Sequence, residues 1–198
     1  MNNGMPTGVK GNGHPILPHR DADPIMRLRS HYFDPADFMF ERFQKLDKRA
    51  KSTTGLNRSA IFERRYSMTY WLSGLYVTIE GMENLPLLDE LARRPSDIPE
   101  LIPYCLEILA DVDDHRDSLR LLRNASFHFQ RTPEKYIQFF EDGFRLHWAA
   151  HIHKGIGRIF SEYRLKCAII CALSDRTDEI DIMGKSALRF RNMSYFNP

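Results

Sequence analysis

A chain of 198 residues with 42% hydrophobic and 12% aromatic side chains can bury one substantial core, so one domain with appendages is expected. The formal charge of +2 excludes a globally basic nucleic-acid binder, and any basic surface must be local. Three cysteines, Cys105, Cys167 and Cys171, are an odd number that argues against a disulfide framework and for a reducing compartment.

Residues 1–30 hold Gly4, Gly8, Gly11, Gly13, Pro6, Pro15, Pro18 and Pro24, a composition that buries too little surface to offset chain ordering. They read as a flexible N-terminal tail. Gly8 to Gly13 follow no strand and precede no Lys-Ser/Thr pair, so they make no phosphate loop, and no cofactor is expected. No charged-then-apolar leader opens the chain, and the longest apolar runs, such as Cys167 to Leu173, fall well short of the roughly 20 residues that span a bilayer. A cytoplasmic protein without membrane contact is the expectation.

From Asp34 the pattern is helical. Asp34-Pro35 reads as an N-cap with proline in the first turn, opening a helix that carries Phe38, Phe43 and Leu46 towards Lys51. After the break at Ser52 to Gly55, a long helix starts near Asn57 or Ser59 and reaches Met82. Its apolar face is expected to hold Ile61, Phe62, Tyr66, Tyr70, Leu72, Leu75, Tyr76 and Ile79. Charge is unevenly spread here: Glu41 to Arg65 is mostly basic, whereas Glu80 to Asp117 is mostly acidic.

A short helix over Leu85 to Arg94 and another over Ile98 to Ala110 follow, separated by Pro95 to Pro99. After the acidic link Asp111 to Asp114 comes a helix that ends at Thr132-Pro133, because proline disfavours helical geometry in the residue before it. Thr132 can cap the next helix, whose stripe is Tyr136, Ile137, Phe140, Phe144 and Trp148 and which Gly155 and Gly157 bend or end. Arg158 to Leu173 forms a last helix, and residues 174–198 read as irregular. Nothing alternates as a strand does, so the fold class is all-α.

One stretch interrupts the apolar pattern with reactive groups: Leu121-Leu122-Arg123-Asn124-Ala125-Ser126-Phe127-His128-Phe129. Imidazole titrates near neutrality and can move a proton to or from a ribose oxygen, for which about 10²–10⁴-fold in rate is typical. A guanidinium stays cationic and can hold the charge that develops on phosphorane oxygens. Asn124 can orient the imidazole or contact phosphate. On a helix Asn124 and His128 share a face, while Arg123 lies about 140° from His128 at roughly 100° per residue. One copy is then an incomplete site, and two copies around a symmetry axis can complete it. The plain alternative is an exposed arginine and a helix-end histidine with no chemical role.

The segment resembles the signature of the HEPN superfamily, in which Arg, usually followed by Asn, Asp or His, precedes His by four to six intervening residues on a late helix of a bundle. The resemblance covers about Asp34 to Leu173 and implies a HEPN-like bundle of about five to six helices. It further implies a metal-independent endoribonuclease that dimerises to form a composite site, in a toxin or defence setting with an antitoxin or defence partner. By position, Arg123 and His128 are then catalytic and Asn124 assists. Arg116, Arg120 and Arg131 lie near the motif and are candidates for tracking an RNA backbone. A different class, a non-catalytic helical dimer that binds a nucleotide or a protein, stays open, because bundle and motif do not by themselves entail cleavage.

His147 and His151 share a helix face and form the weakest candidate for a metal site, with no third ligand at helical spacing. No metal is expected, and these two and His153 read as partly exposed helix histidines or a substrate-facing row. The aromatics Phe38, Phe43, Tyr66, Tyr70, Trp71, Phe139, Phe140, Phe144 and Trp148 read as core. Cys167 and Cys171 read the same way.

Overall fold

The computed structural model describes residues 17–180 apart from 53, 54, 96 and 130. Among them the regular structure is entirely helical: α1 Pro24–Leu28, α2 Asp34–Ala50, α3 Arg58–Asn84, α4 Leu87–Ala92, α5 Ile102–Val112, α6 Arg116–Phe127, α7 Glu134–Glu141 and α8 Phe144–Leu173. Eight described helices stand against the five to six that the resemblance implies: a short helix precedes α2, and the expected helix from Pro133 is divided at Asp142-Gly143, its second part running unbroken into the expected last helix as α8. No described helix is long and apolar enough to cross a membrane.

The start of the fold lies earlier than the sequence suggests. Asp23 caps α1, its Oδ1 accepting the Ile25 N–H at 2.9 Å with Pro24 in the first turn. The chain then passes through a wide turn, Arg29–Phe33, in which the Asp34 N–H reaches back five residues to the Arg29 carbonyl, and runs directly into α2. Asp34 is helical and is not a cap. Pro35 supplies the physical reason for the wide turn, since a proline inside a helix lacks its N–H and clashes with the carbonyl four residues back. Leu17, Ile25, Met26, Leu28 and Phe33 are buried, so residues 17–30 belong to the core and not to a tail. The other residues of the expected tail, 1–16, lie outside the described residues.

The far end of the chain fixes this segment. Arg176 donates to the carbonyls of Leu17 and Pro18 at 2.9 and 3.1 Å, and Glu179 accepts the Arg20 N–H at 3.0 Å. Residues 174–180, expected to be irregular, thus clasp the N-terminal segment; 181–198 lie outside the described residues.

α2 and α3 form an antiparallel pair. Asp47 meets Arg64 near the connection and Ala36 meets Gly74 at the other end, where the two helices come so close that a Cβ on Gly74 would lie 2.9 Å from that of Ala36. Asn57 caps α3 through the Ala60 N–H at 2.9 Å. Trp71, Leu72, Leu75, Ile79 and Met82 turn inwards, and Trp71 stacks on Phe43 with centroids at 5.5 Å and meets Phe40 at a tilt with centroids at 4.5 Å.

α8 is the longest helix and supplies Ile152, Ile156, Ile159, Phe160, Tyr163, Cys167 and Cys171 to the core. Gly155 and Gly157 neither bend nor end it. They are points of close approach, where an added Cβ would lie 2.4 Å from Ile108 Cδ1 of α5 and 3.1 Å from Phe33. The helix break falls instead at Asp142, which is extended and whose carboxylate accepts the Phe144 N–H at 3.0 Å. Thr132 makes no cap: Pro133 occupies that position and α7 begins at Glu134 without a side-chain capping bond.

Candidate functional site

α6 packs between α3 and α7 through Leu119 and Leu122. Ser126 returns its hydroxyl to the Leu122 carbonyl at 2.8 Å, a bond that competes with the helical ladder, and the helix stops at Phe127. His128 is extended, at φ −114° and ψ 137°, although its N–H still closes the last turn on the Asn124 carbonyl at 3.0 Å. The shared helical face expected of Asn124 and His128, and the about 140° between Arg123 and His128, therefore do not describe this segment.

Arg123 and Asn124 are half-buried and joined, Arg123 Nη1 donating to Asn124 Oδ1 at 2.9 Å. His128 is exposed and lines a cleft of about 610 Å³ between α3 and the α6–α7 connection. Arg65, Tyr66 and Tyr70 of α3, Arg131 of the connection and Tyr136 of α7 line it too, whereas Arg123 and Asn124 do not. One chain brings His128 together with Arg131, and Arg123 together with Asn124, but does not bring all of them into one cleft.

Arg123 lies within electrostatic reach of Tyr76 instead. Burial, and next to it the charge of Glu80, raises the Tyr76 phenol above its ordinary range, while Arg116, Arg120 and Arg123 act in the opposite sense. Arg116 is paired with Glu83 of α3, and Arg120 with Asp117 at 3.1 Å. Of the three arginines singled out as RNA contacts, Arg131 alone lines the cleft.

The cleft walls are cross-linked. The Thr69 and Tyr136 hydroxyls lie 2.9 Å apart, the Arg65 guanidinium sits 5.5 Å above the Tyr136 ring, and Tyr70 meets Phe127 edge-on at 5.6 Å. Such walls offer π-faces and fixed cations side by side, a combination suited to bases and phosphates. Arg65, Tyr66 and Tyr70 were missed as site residues because they fall within an apolar helical pattern. A finer angular count finds the two tyrosines: at roughly 100° per residue, positions 62, 66 and 70 lie opposite the buried stripe centred on 71, 75, 79 and 82.

The histidines of α8 do not form a row. His151 is exposed against Asp111 at 3.2 Å, and His147 is exposed. His153 is buried between Phe33 and Phe40, edge-on to Trp71, with Nε2 2.9 Å from Asp37 Oδ1. No group of three or more His, Cys, Asp or Glu among the described residues is placed to hold a metal ion. Phe38, Tyr66, Tyr70 and Phe144, expected in the core, are exposed, while Phe43, Trp71 and Phe139 are buried there. Burial pushes the Cys105 thiol up to about 11 and that of Cys167 up to about 12.

Comparison with protein-family models, with curated proteins and with solved structures returned no match. Fold and cleft together define an all-α helical bundle with an aromatic cleft rimmed by arginine.

Proposed function

We propose that the protein is a metal-independent endoribonuclease of HEPN type, acting as a homodimer. The observation that carries this reading is the position of His128, held just past the end of α6 in a cleft that also presents Arg65, Arg131 and the faces of Tyr66 and Tyr70. His128 takes the proton from a ribose 2′-hydroxyl or gives one to the leaving oxygen. The 2′-oxygen bonds to the adjacent phosphorus, the bond from phosphorus to the 5′-oxygen breaks, and the products are a cyclic 2′,3′-phosphate and a 5′-hydroxyl. Arg123, oriented by Asn124, stabilises the phosphorane charge from a second copy, since in its own chain it stands outside the cleft. Such an activity suits a toxin or defence protein restrained by a partner.

The test is cleavage of single-stranded RNA in EDTA. Arg123→Ala and His128→Ala each abolish it. Mixing the two inactive variants restores about a quarter of wild-type activity, because half the dimers are mixed and each carries one intact composite site of two. Cutting that survives both substitutions overturns the proposal.

The separation of Arg123 from the cleft favours one rival, a dimeric module that binds nucleotide or protein without cleaving. It predicts binding without product in the same assay.

A further inference from the structure

The outer face of α3 carries Phe62, Tyr66 and Tyr70, 45%, 61% and 50% exposed, one turn apart on a helix whose opposite side is core. About half of each ring stays open to solvent at three successive turns, although Tyr70 meets Phe127 edge-on. The same three rings line a second groove, about 690 Å³, between α2 and α3, whose far wall holds Phe38, Arg42 and Lys45. The cleft at His128 and this groove share the three rings as a common wall on the outer face of α3, and cleft, rings and groove together make up a trough.

The charges along the trough have one sign to spare. Glu41 and Glu63 are engaged, by Lys45 at 3.4 Å and by Arg42. Arg58, Arg65 and Arg131 make no ion pair among the described residues; Arg58 lies 5.9 Å over the Phe62 ring.

We propose that single-stranded RNA runs from the cleft along α3, with its bases stacked on Tyr70, Tyr66 and Phe62 and its phosphates facing Arg65 and Arg58. This extends the ribonuclease reading and rests on it for the direction of the substrate at His128. Stacking on rings requires unpaired bases and tolerates any sequence, so the trough selects single strands over duplexes and reads no base edge. A second copy docked through the same patch would gather the arginines of both chains at one contact, with the lining carboxylates Glu41 and Glu63 already paired within each chain.

The full-length protein is titrated with a fluorescein-labelled 12-residue 2′-O-methyl-uridine strand, which cannot be cut because cleavage consumes the 2′-hydroxyl. Phe62→Ala and Tyr66→Ala are exposed sites, and unchanged melting confirms their folding. Each weakens binding about 5–100-fold, and a duplex of the same length binds more weakly than the single strand. If wild-type protein cuts RNA but both variants bind like wild type, the trough proposal falls and the ribonuclease reading stands. If the strand binds through these rings while unmodified RNA is never cut, the trough stands and the ribonuclease reading falls. Absence of strand binding, with the two variants instead dissociating a dimer in sedimentation, assigns the face to a second copy and overturns the proposal.

Discussion

Tyr163 of α8 donates a 2.5 Å hydrogen bond to the carboxylate of Asp23, a residue 140 positions earlier in the chain. Arg94 completes the set, giving Nε to the Tyr163 hydroxyl at 3.0 Å and Nη2 to Asp23 at 3.2 Å and to Glu90 at 3.1 Å. All three core members are buried, and burial together with the Asp23 charge holds the Tyr163 phenol protonated far above its ordinary range. Replacing Arg94 with Met leaves the Asp23 carboxylate buried without its cation and costs about 3–5 kcal/mol. Tyr163→Phe costs about 1–3 kcal/mol, and Asp23→Asn added to Arg94→Met recovers part of the loss. Urea unfolding at pH 7 measures each.

Close packing of α2 on α3 makes the second prediction. Gly74→Ala places a methyl against both the Cβ and the Cα of Ala36, and backbone cannot yield as a flexible side chain can. The substitution destabilises by about 1–3 kcal/mol despite the better helix propensity of alanine. Ala36→Gly opens the space, so the double variant is more stable than the sum of the single changes predicts, which a double-mutant cycle reads directly.

The three cysteines are all buried and their thiols are raised, to about 11 for Cys105 and about 12 for Cys167, in each case first by burial. Native protein at pH 8 therefore reacts slowly with a thiol reagent and releases three equivalents only when unfolded. The folded state keeps these protons at a pH where the unfolded thiols, near 8.5, have lost them. Stability is then full below about pH 8.5 and declines as pH rises towards 11 to 12, and urea midpoints between pH 8 and 11 show the decline.

Glu179 is held below its ordinary range, first by the Arg176 guanidinium, with burial opposing and the Arg20 N–H helping. A lowered carboxylate stabilises the fold at pH values above its unfolded pKa, and that contribution disappears as pH falls below about 4. Glu179→Gln at pH 7 loosens the clasp on the N-terminal segment, and hydrogen exchange reports it as faster exchange of the Arg20 amide with α8 unchanged.

The all-helical class was legible because the periodicities of α3 and α8 are long and unbroken by strand alternation. The start of α3, read as near Asn57 or Ser59, was legible because the signals for a helix start are local, and Asn57 caps its own helix. What escaped the sequence depends on contacts distant in the chain. Gly155 looks like a helix breaker until Ile108 occupies the space beside it, and the Pro-rich start looks like a tail until Arg94 and Tyr163 meet Asp23. In the candidate site, Arg123, Asn124 and His128 were visible as a motif, but the end of α6 at Phe127 was not, because no glycine or proline marks it before Thr132-Pro133. Tyr66 and Tyr70 were counted as core because a single wide apolar face ran together two sides of α3 that an angular count separates.

The wide turn at Arg29–Phe33 also works as a counter of residues. It accommodates one more residue than an ordinary helical turn between α1 and α2. Deleting a single position there would leave an ordinary turn in the same phase, whereas deleting one in the first regular turn of α2 would rotate everything before it by about 100° with a shift of about 1.5 Å. Asp23 would swing away from Arg94 and Tyr163, and the sockets for Ile25 and Leu28 would face the wrong side chains. Deletions in the regular turns beside the wide turn are therefore phase errors that detach the first helix, while a variant shortened by one residue within it keeps Asp23 in place, and point substitutions at exposed positions such as Tyr32 are tolerated.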